Sequence, residues 1–244
     1  MADKFVNPRA NTGIEKSYME IDIDISLVSL ASRATLYIKK TRIEIAMLPF
    51  SAASERNKDP ILEVLRVRFA GRVQVLEIGS GTGQHAVHFA RELSHLIWHP
   101  TEQLAYLTDL AERVKLEGPQ NLRAPTLLDV RQAVWPVRSV DAVFTANTLH
   151  IMSWPEVAAL FRGIGDVLAP GGVLCVYGPF RYAGRYTSDS NEEFDRMLQE
   201  RDPQSGLRDI QALNSLAEQY GLRLDADHDL PANNRLLVFN KEPG

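Results

Sequence analysis

Three glycines at alternate positions, Gly79, Gly81 and Gly83, follow directly on the apolar run Val75-Leu76-Glu77-Ile78 and precede a helical pattern. Glycine takes positive φ without steric cost and lets a ligand approach the backbone without meeting a Cβ. In an open α/β sheet such a turn lies at the carboxyl end of a strand, where ligands of these folds bind. An ordinary strand-to-helix turn is the bland alternative, and three alternating glycines behind an acid argue against it. The dinucleotide fingerprint G-x-G-x-x-G/A needs a small residue where this chain has Gln84, and the third glycine falls one residue early. That spacing counts against NAD or FAD. Two more acids follow: Glu102, nineteen residues after Gly83, and Asp129 in Leu127-Leu128-Asp129-Val130. An ionised carboxylate is acceptor-only and can take two donors, which suits it to a pair of ligand hydroxyls. The competing readings are a helix-capping acid at Glu102 and a surface loop acid at Asp129. His85 and His88 could share a helix face, but no third ligand stands at a suitable spacing, so no metal is expected.

From Leu48 onward, apolar runs alternate with helical patterns, the signature of βαβ units on a parallel sheet. Asp59-Pro60 predicts a helix start, with Ile61, Leu62, Leu65 and Phe69 on one face. Residues 73–78 predict the first core strand, and Ala86, Phe89, Ala90 and Leu93 the helix behind the glycine loop. Residues 96–98 predict a short second strand, with His99-Pro100-Thr101 as a turn before Glu102. Leu104, Leu107, Leu110, Ala111 and Val114 predict a helix stopped by Gly118-Pro119. Strands are expected at 122–128 and 140–146. Ser153 and Glu156 have capping-box spacing ahead of a helix that ends at Pro170-Gly171-Gly172, a turn into a strand at 173–177. Residues 180–191 read as a polar, aromatic loop, and Ser190 with Glu193 as a second capping box. A further helix from about Asp209 to Gly221 leads to strand-like runs at 222–226 and 235–240, a hairpin closing the sheet. The expected fold is α/β, Rossmann-like and doubly wound: a mostly parallel seven-stranded sheet with a C-terminal antiparallel hairpin.

Residues 1–46 read differently. Ile21, Ile23, Ile25 and Leu27 alternate with Asp22, Asp24 and Ser26, the period of a half-buried strand, and Leu36, Ile38, Ile43 and Ile45 repeat it weakly. Two readings stand: a short β extension, or a poorly ordered leader from a start assigned upstream of Met47. The main domain is expected over 47–244. The 244 residues, 45% hydrophobic and 24% charged, suffice for one sizeable core. A net charge of -4 lowers the odds on a polyanionic partner, since binding nucleic acid draws on clustered Lys and Arg. The single cysteine, Cys175, allows no intrachain disulfide and reads as a buried packing residue of a protein in a reducing cytoplasm. Residues 1–16 lack the apolar stretch of a signal peptide, and no run approaches the roughly 20 apolar residues of a membrane span.

The E-x-G-x-G-x-G string from Glu77 to Gly83 resembles the first motif of class I S-adenosylmethionine-dependent methyltransferases. The resemblance implies S-adenosylmethionine as cofactor, its methionine and ribose against the glycine loop, and Glu77 organising the loop and the bound amino group. It implies Glu102 as the acceptor for both ribose hydroxyls, although here the acid follows the expected 99–101 turn and not the strand directly. Asp129 would accept from the adenine amino group, with the Val130 backbone beside the ring, and the Asn147 backbone would contact the cofactor amino group. Pro49-Phe50-Ser51, Ser54-Glu55-Arg56-Asn57-Lys58, Trp98-His99-Pro100, Ala146-Asn147-Thr148-Leu149-His150-Ile151, Tyr177-Gly178-Pro179-Phe180 and Pro231-Ala232-Asn233-Asn234 resemble the uncharacterised family that includes methyltransferase-like protein 26, over about residues 47–241.

A sulfonium methyl is already activated, so its transfer mainly needs donor and acceptor held in line, and a base only if the acceptor must lose a proton. His150, just past the fourth strand, is the candidate base, with a packed or loop histidine as the competing reading. Arg56, beside Asn57, could offer paired donors to the cofactor carboxylate or make a surface salt bridge. Phe180, Arg181, Tyr182, Arg185 and Tyr186 would flank an acceptor pocket or form a lid packed on the core. The expected activity is methyl transfer to a small molecule, with a protein acceptor second. A non-catalytic cofactor-binding module and a nicotinamide-dependent oxidoreductase are the alternatives.

Overall fold

The computed structural model describes residues 18–21, 43–46 and 48–243. The chain divides into two compact units, residues 1–51 and 52–244. In the first, β1 (Tyr18–Ile21) and β2 (Ile43–Ala46) pair antiparallel, Tyr18 opposite Ala46 and Ile21 opposite Ile43. The alternation expected at Ile23, Ile25, Leu27, Leu36 and Ile38, and the boundary residue Met47, lie outside the described residues.

The second unit runs α1 (Ala52–Arg68), β3 (Gln74–Ile78), α2 (Gln84–Glu92), β4 (Ile97–Glu102), α3 (Leu104–Glu117), β5 (Thr126–Leu127), β6 (Val140–Ala146), α4 (Trp154–Val167) and β7 (Leu168–Gly178). It continues through β8 (Phe180–Arg181), α5 (Asp189–Arg201), β9 (Arg208–Asp209), α6 (Ile210–Glu218), β10 (Leu222–Leu230) and β11 (Asn234–Lys241). The main sheet has seven strands in the order β10-β11-β7-β6-β3-β4-β5. The five from β7 to β5 are parallel, while β11 is antiparallel to β7 and β10 to β11. This is the expected doubly wound sheet with its C-terminal hairpin.

Both faces of the central strands are covered, which is why they read as unbroken apolar runs. Leu76, Ile78, Val143, Leu174, Val176, Leu237 and Phe239 pack against α4 and α6. Their alternates Val75, Ala142, Phe144, Val173, Cys175, Leu236 and Val238 pack against Ile61, Leu65 and Phe69 of the α1 side and Ala86, Phe89 and Ala90 of α2. Buried Cys175 is a packing residue, and burial pushes its thiol up to about 12.

Several boundaries differ from expectation. The first helix begins at Ala52 and carries Pro60 inside it. Asp59-Pro60 is therefore not its start, and the missing proline N–H costs one helix bond in a segment held by burial of Ile61, Leu62 and Leu65. The second strand runs on through His99, Pro100 and Thr101 to Glu102, so the acid ends the strand directly. Trp98 N donates to Asn121 O, on the β5 side, and alternation turns the Pro100 nitrogen the same way. There the ladder is interrupted between the bridge to Leu122 and the pairs at Thr126 and Leu127, so the absent N–H is not missed. The same gap reduces the strand expected at 122–128 to two residues. Ser188, not Ser190, caps α5, accepting from Asn191 N. The hairpin turn shrinks to residues 231–233, because β10 extends through Asp227, His228 and Asp229 to Leu230.

At α4 the capping box is present in full: Ser153 Oγ accepts from Glu156 N and Glu156 Oε2 accepts from Ser153 N at 2.8 Å. Ser153→Ala is expected to cost about 1 kcal/mol in urea unfolding. No helix among the described residues is long and apolar enough to cross a membrane.

Candidate functional site

The strand order reverses direction of winding between β3 and β6, and in open α/β sheets the carboxyl ends of the strands at such a reversal are where ligands bind. The glycine loop leaves the carboxyl end of β3 at that reversal. Gly79, Gly81 and Gly83 have φ of 71°, 54° and 78°, all in the left-handed region, but their surroundings differ. A Cβ at Gly79 would come within 2.5 Å of Thr148 Cγ2, and one at Gly83 within 2.7 Å of Leu110 Cδ1. A Cβ at Gly81 would meet nothing within 4 Å. Gly79 and Gly83 thus serve close packing of the loop on its supports, while Gly81 leaves its backbone open to an approaching ligand.

The supports are polar and buried. Thr101, at the end of β4, takes the Gly79 and Ser80 amides on its carbonyl at 3.1 and 3.0 Å. Its Oγ1 donates to Glu77 O at 2.7 Å. Thr145 Oγ1 donates to Ile78 O at 2.9 Å and lies 2.6 Å from Thr148 Oγ1. These threonines escaped the sequence reading because their role depends on strands brought side by side by the fold.

Glu77 is 2% exposed and accepts from Trp98 Nε1 at 2.7 Å. Burial pushes its pKa up to about 7, against the pull of that donor. A carboxyl raised from 4.5 contributes stability that is fully present below about pH 4.5 and lost as pH rises through about 7. Glu77→Gln, which keeps an acceptor for Trp98, is expected to remove that loss. Its stability relative to the parent should rise by something on the order of 2 kcal/mol between pH 5 and pH 8 in urea titrations.

Glu102, also buried, accepts from Gly81 N and Gln103 N, both at 2.7 Å, and burial raises its pKa. The carboxylate expected to meet a ligand therefore also holds the middle glycine of the loop. Leu128 N donates to Glu102 O at 3.0 Å, which brings the Asp129 turn alongside. Val130 is buried, whereas the Asp129 carboxylate is forked by Arg131, whose nearest contact is 2.6 Å and whose hydrogen bonds lower the acid's pKa. Asn147 follows β6 with φ 58°, a strained conformation that asparagine tolerates, and its backbone amide donates to Tyr177 O at 2.9 Å.

His150 is buried rather than presented to solvent. Its ring meets Phe194 edge-on at 5.3 Å, and burial, reinforced by the charges of Arg208 and Arg201, drives its pKa down to about 4. It is neutral at physiological pH. Gly178, at the end of β7, leaves room beside it: a Cβ there would lie 3.7 Å from His150 Nδ1 and 4.0 Å from Asn147 Oδ1. Arg56 is exposed on α1, and no salt bridge is found for it among the described residues. Its neighbour Asn57 is turned inward, with Oδ1 2.6 Å from Nε2 of His85, a histidine held neutral by burial.

The aromatic stretch after β7 is pinned to the hairpin. Phe180 is buried, Tyr182 Oη donates to Asp227 at 2.7 Å, and Arg235 Nε reaches the same carboxylate at 2.7 Å. Tyr186 Oη donates to buried Asp195 at 2.7 Å. Arg113 of α3 donates to Thr82 O at 2.6 Å; nothing in its local sequence marked it out.

A family model described as "Protein of unknown function (DUF938)" matches residues 48–241. Among solved structures, the chain is similar to the S-adenosylmethionine-dependent methyltransferase SibL in its apo form, at 21% identity and TM-score 0.67, covering 79% of this chain and 56% of that one. It is similar to an O-methyltransferase family protein from Burkholderia thailandensis, at 15% identity and TM-score 0.69, covering 79% and 58%. It is also similar to human N-acetylserotonin methyltransferase in complex with SAM, at 14% identity and TM-score 0.66, covering 78% and 53%. The chain spans little more than half the length of these structures. The likeness shows the fold, that of the class I methyltransferases.

Proposed function

The chain belongs to the DUF938 family, whose description gives no function, and from that premise we propose that it is an S-adenosylmethionine-dependent methyltransferase acting on a small molecule. The observation that carries this reading is Gly81, where a Cβ would meet nothing within 4 Å and whose amide is held by Glu102, which like Glu77 is a buried carboxylate. An adenosyl ligand carries the hydroxyls and the ammonium that such acceptors recognise. Bound S-adenosylmethionine would supply a sulfonium-activated methyl group for in-line transfer.

The residues then divide the work. Glu102 retains lone pairs beyond those given to Gly81 and Gln103 and would accept from the ribose hydroxyls. Asp129 would accept from the adenine amino group beside the Val130 backbone. Glu77 and the Asn147 backbone would hold the amino group, and Arg56 would pair with the carboxylate. His150 would take the acceptor's proton at Nδ1, the nitrogen that faces Gly178. Phe180, Arg181, Tyr182, Arg185 and Tyr186 would flank the acceptor. Membership of the family that includes methyltransferase-like protein 26, a domain spanning 47–244 and a cytoplasmic location belong to the same proposal.

A second reading, a cofactor-binding module without turnover, draws on one observation: a histidine buried to a pKa of about 4 is a weak base. Calorimetric titration of the chain with S-adenosylhomocysteine, with NADH in parallel, tests the cofactor assignment. Saturable binding of the adenosyl ligand alone is the expected result. Absence of binding to demonstrably folded protein overturns it. Methyl transfer in an acceptor screen would then separate enzyme from module.

A further inference from the structure

Every peptide that enters a glycine of the loop is loose on steric grounds, because glycine accepts φ of either sign. There are three such peptides, and a neighbouring element locks each. The Gly79 amide donates to Thr101 O at 3.1 Å, and the Gly81 amide to Glu102 Oε2 at 2.7 Å, so β4 holds two of them. The third, between Thr82 and Gly83, is held from both ends. Gly83 N donates to Ser80 O at 2.9 Å within the turn, and Thr82 O accepts from Arg113 Nε at 2.6 Å. Arg113 is 7% exposed, its Nη1 lies 2.6 Å from Glu117 Oε2, and its stem passes under the loop, where a Cβ at Gly83 would be 3.1 Å from Arg113 Cδ. Burying a guanidinium is costly, and an apolar side chain of similar length would fill the same space. The gain is specific to the carbonyl: a charged donor makes a hydrogen bond roughly twice as strong as a neutral one.

We infer that Arg113 is a positioning residue of the cofactor loop, fixing the Thr82–Gly83 peptide so that its carbonyl is held toward α3 and the loop keeps the shape in which it receives its ligand. The inference rests on the reading of this loop as the S-adenosylmethionine site. Arg113→Met keeps the packing stem and removes the donors. Arg113→Lys restores a charged donor. Glu117→Gln removes the ion-pair partner and leaves the bond to Thr82.

The test measures S-adenosylhomocysteine affinity, Tm, and hydrogen exchange of the loop amides in ligand-free protein. Arg113→Met is expected to bind about tenfold more weakly with Tm little changed, Arg113→Lys to recover part of the loss, and Glu117→Gln to bind like the parent. The Gly83 amide should exchange about tenfold faster in Arg113→Met alone. Parent-like affinity and exchange in Arg113→Met would overturn the inference, as would equal losses in Arg113→Met and Glu117→Gln that track a fall in Tm. Failure of the unsubstituted chain to bind the adenosyl ligand would instead sink the cofactor assignment, and the exchange data would still report whether Arg113 locks the loop.

Discussion

Gly81→Arg is expected to abolish measurable binding of S-adenosylhomocysteine, weakening it at least about a hundredfold, while lowering Tm by only a few degrees. The side chain would start from the one loop glycine whose Cβ meets nothing within 4 Å, so it intrudes into the ligand's space without colliding with the protein. A hundredfold loss corresponds to about 2.7 kcal/mol, modest for the exclusion of a whole ligand from its loop. The cost to the fold is the left-handed backbone, φ 54°, which charges a non-glycine residue about 1–2 kcal/mol. Spread over a chain of this size that is a shift of roughly 2–8 °C. Calorimetry and a thermal melt on the same sample read both quantities. Unchanged affinity would mean that the ligand does not lie against this loop.

Gly79→Ala should do the reverse, damaging the fold first. It too places a non-glycine residue at positive φ, 71°, but its Cβ would also sit 2.5 Å from Thr148 Cγ2. Thr148 is buried, and its Oγ1 is 2.6 Å from Thr145 Oγ1, which is itself bonded to Ile78 O, so rotating the methyl away breaks a buried chain of hydrogen bonds. Backbone strain and overpacking together predict a loss of about 2–4 kcal/mol in urea unfolding, against about 1–2 kcal/mol for Gly81→Ala, which suffers the strain alone. Thr148→Ser removes the offending methyl and keeps the hydroxyl. In the double variant the collision part of the loss should be recovered, a coupling that a double-mutant cycle isolates. Equal losses for the two alanine variants would show that Thr148 is no wall to the loop.

These two glycines mark the limit of what a local pattern can express. Spacing in the chain announced a glycine turn between a strand and a helix, because a strand period, three alternating glycines and a helix period are all local signals. It could not say that Gly79 answers to Thr148, sixty-nine residues away, or that of the three loop glycines Gly81 is the one that faces open space. The same division recurs. The strand at Val140–Ala146 and the capping box of Ser153 and Glu156 were legible, since each is written within a few residues. Pro60 misled, because burial of the α1 face holds a helix through a residue that locally argues for its start. The extension of β4 past Pro100 depended on a gap in the neighbouring ladder that no stretch of β4 records. At β10 a signal was present: Ala226, His228 and Leu230 alternate with Asp225, Asp227 and Asp229, but the turn residues that follow outweighed it.

Among the candidate site residues, the sequence by itself determined which types stand at the carboxyl ends of the strands: the glycines, Glu77, Glu102, Asp129, Asn147 and His150. Only the tertiary structure decided their states. Glu77 meets the Trp98 indole, Glu102 is shared with the Gly81 amide, Asp129 is forked by Arg131, and His150 is sealed against Phe194. The protonation state of a carboxyl or an imidazole follows from how much water it keeps and which charges face it. Most of those are set by strands and helices distant in the chain, so they enter only when the sheet is assembled.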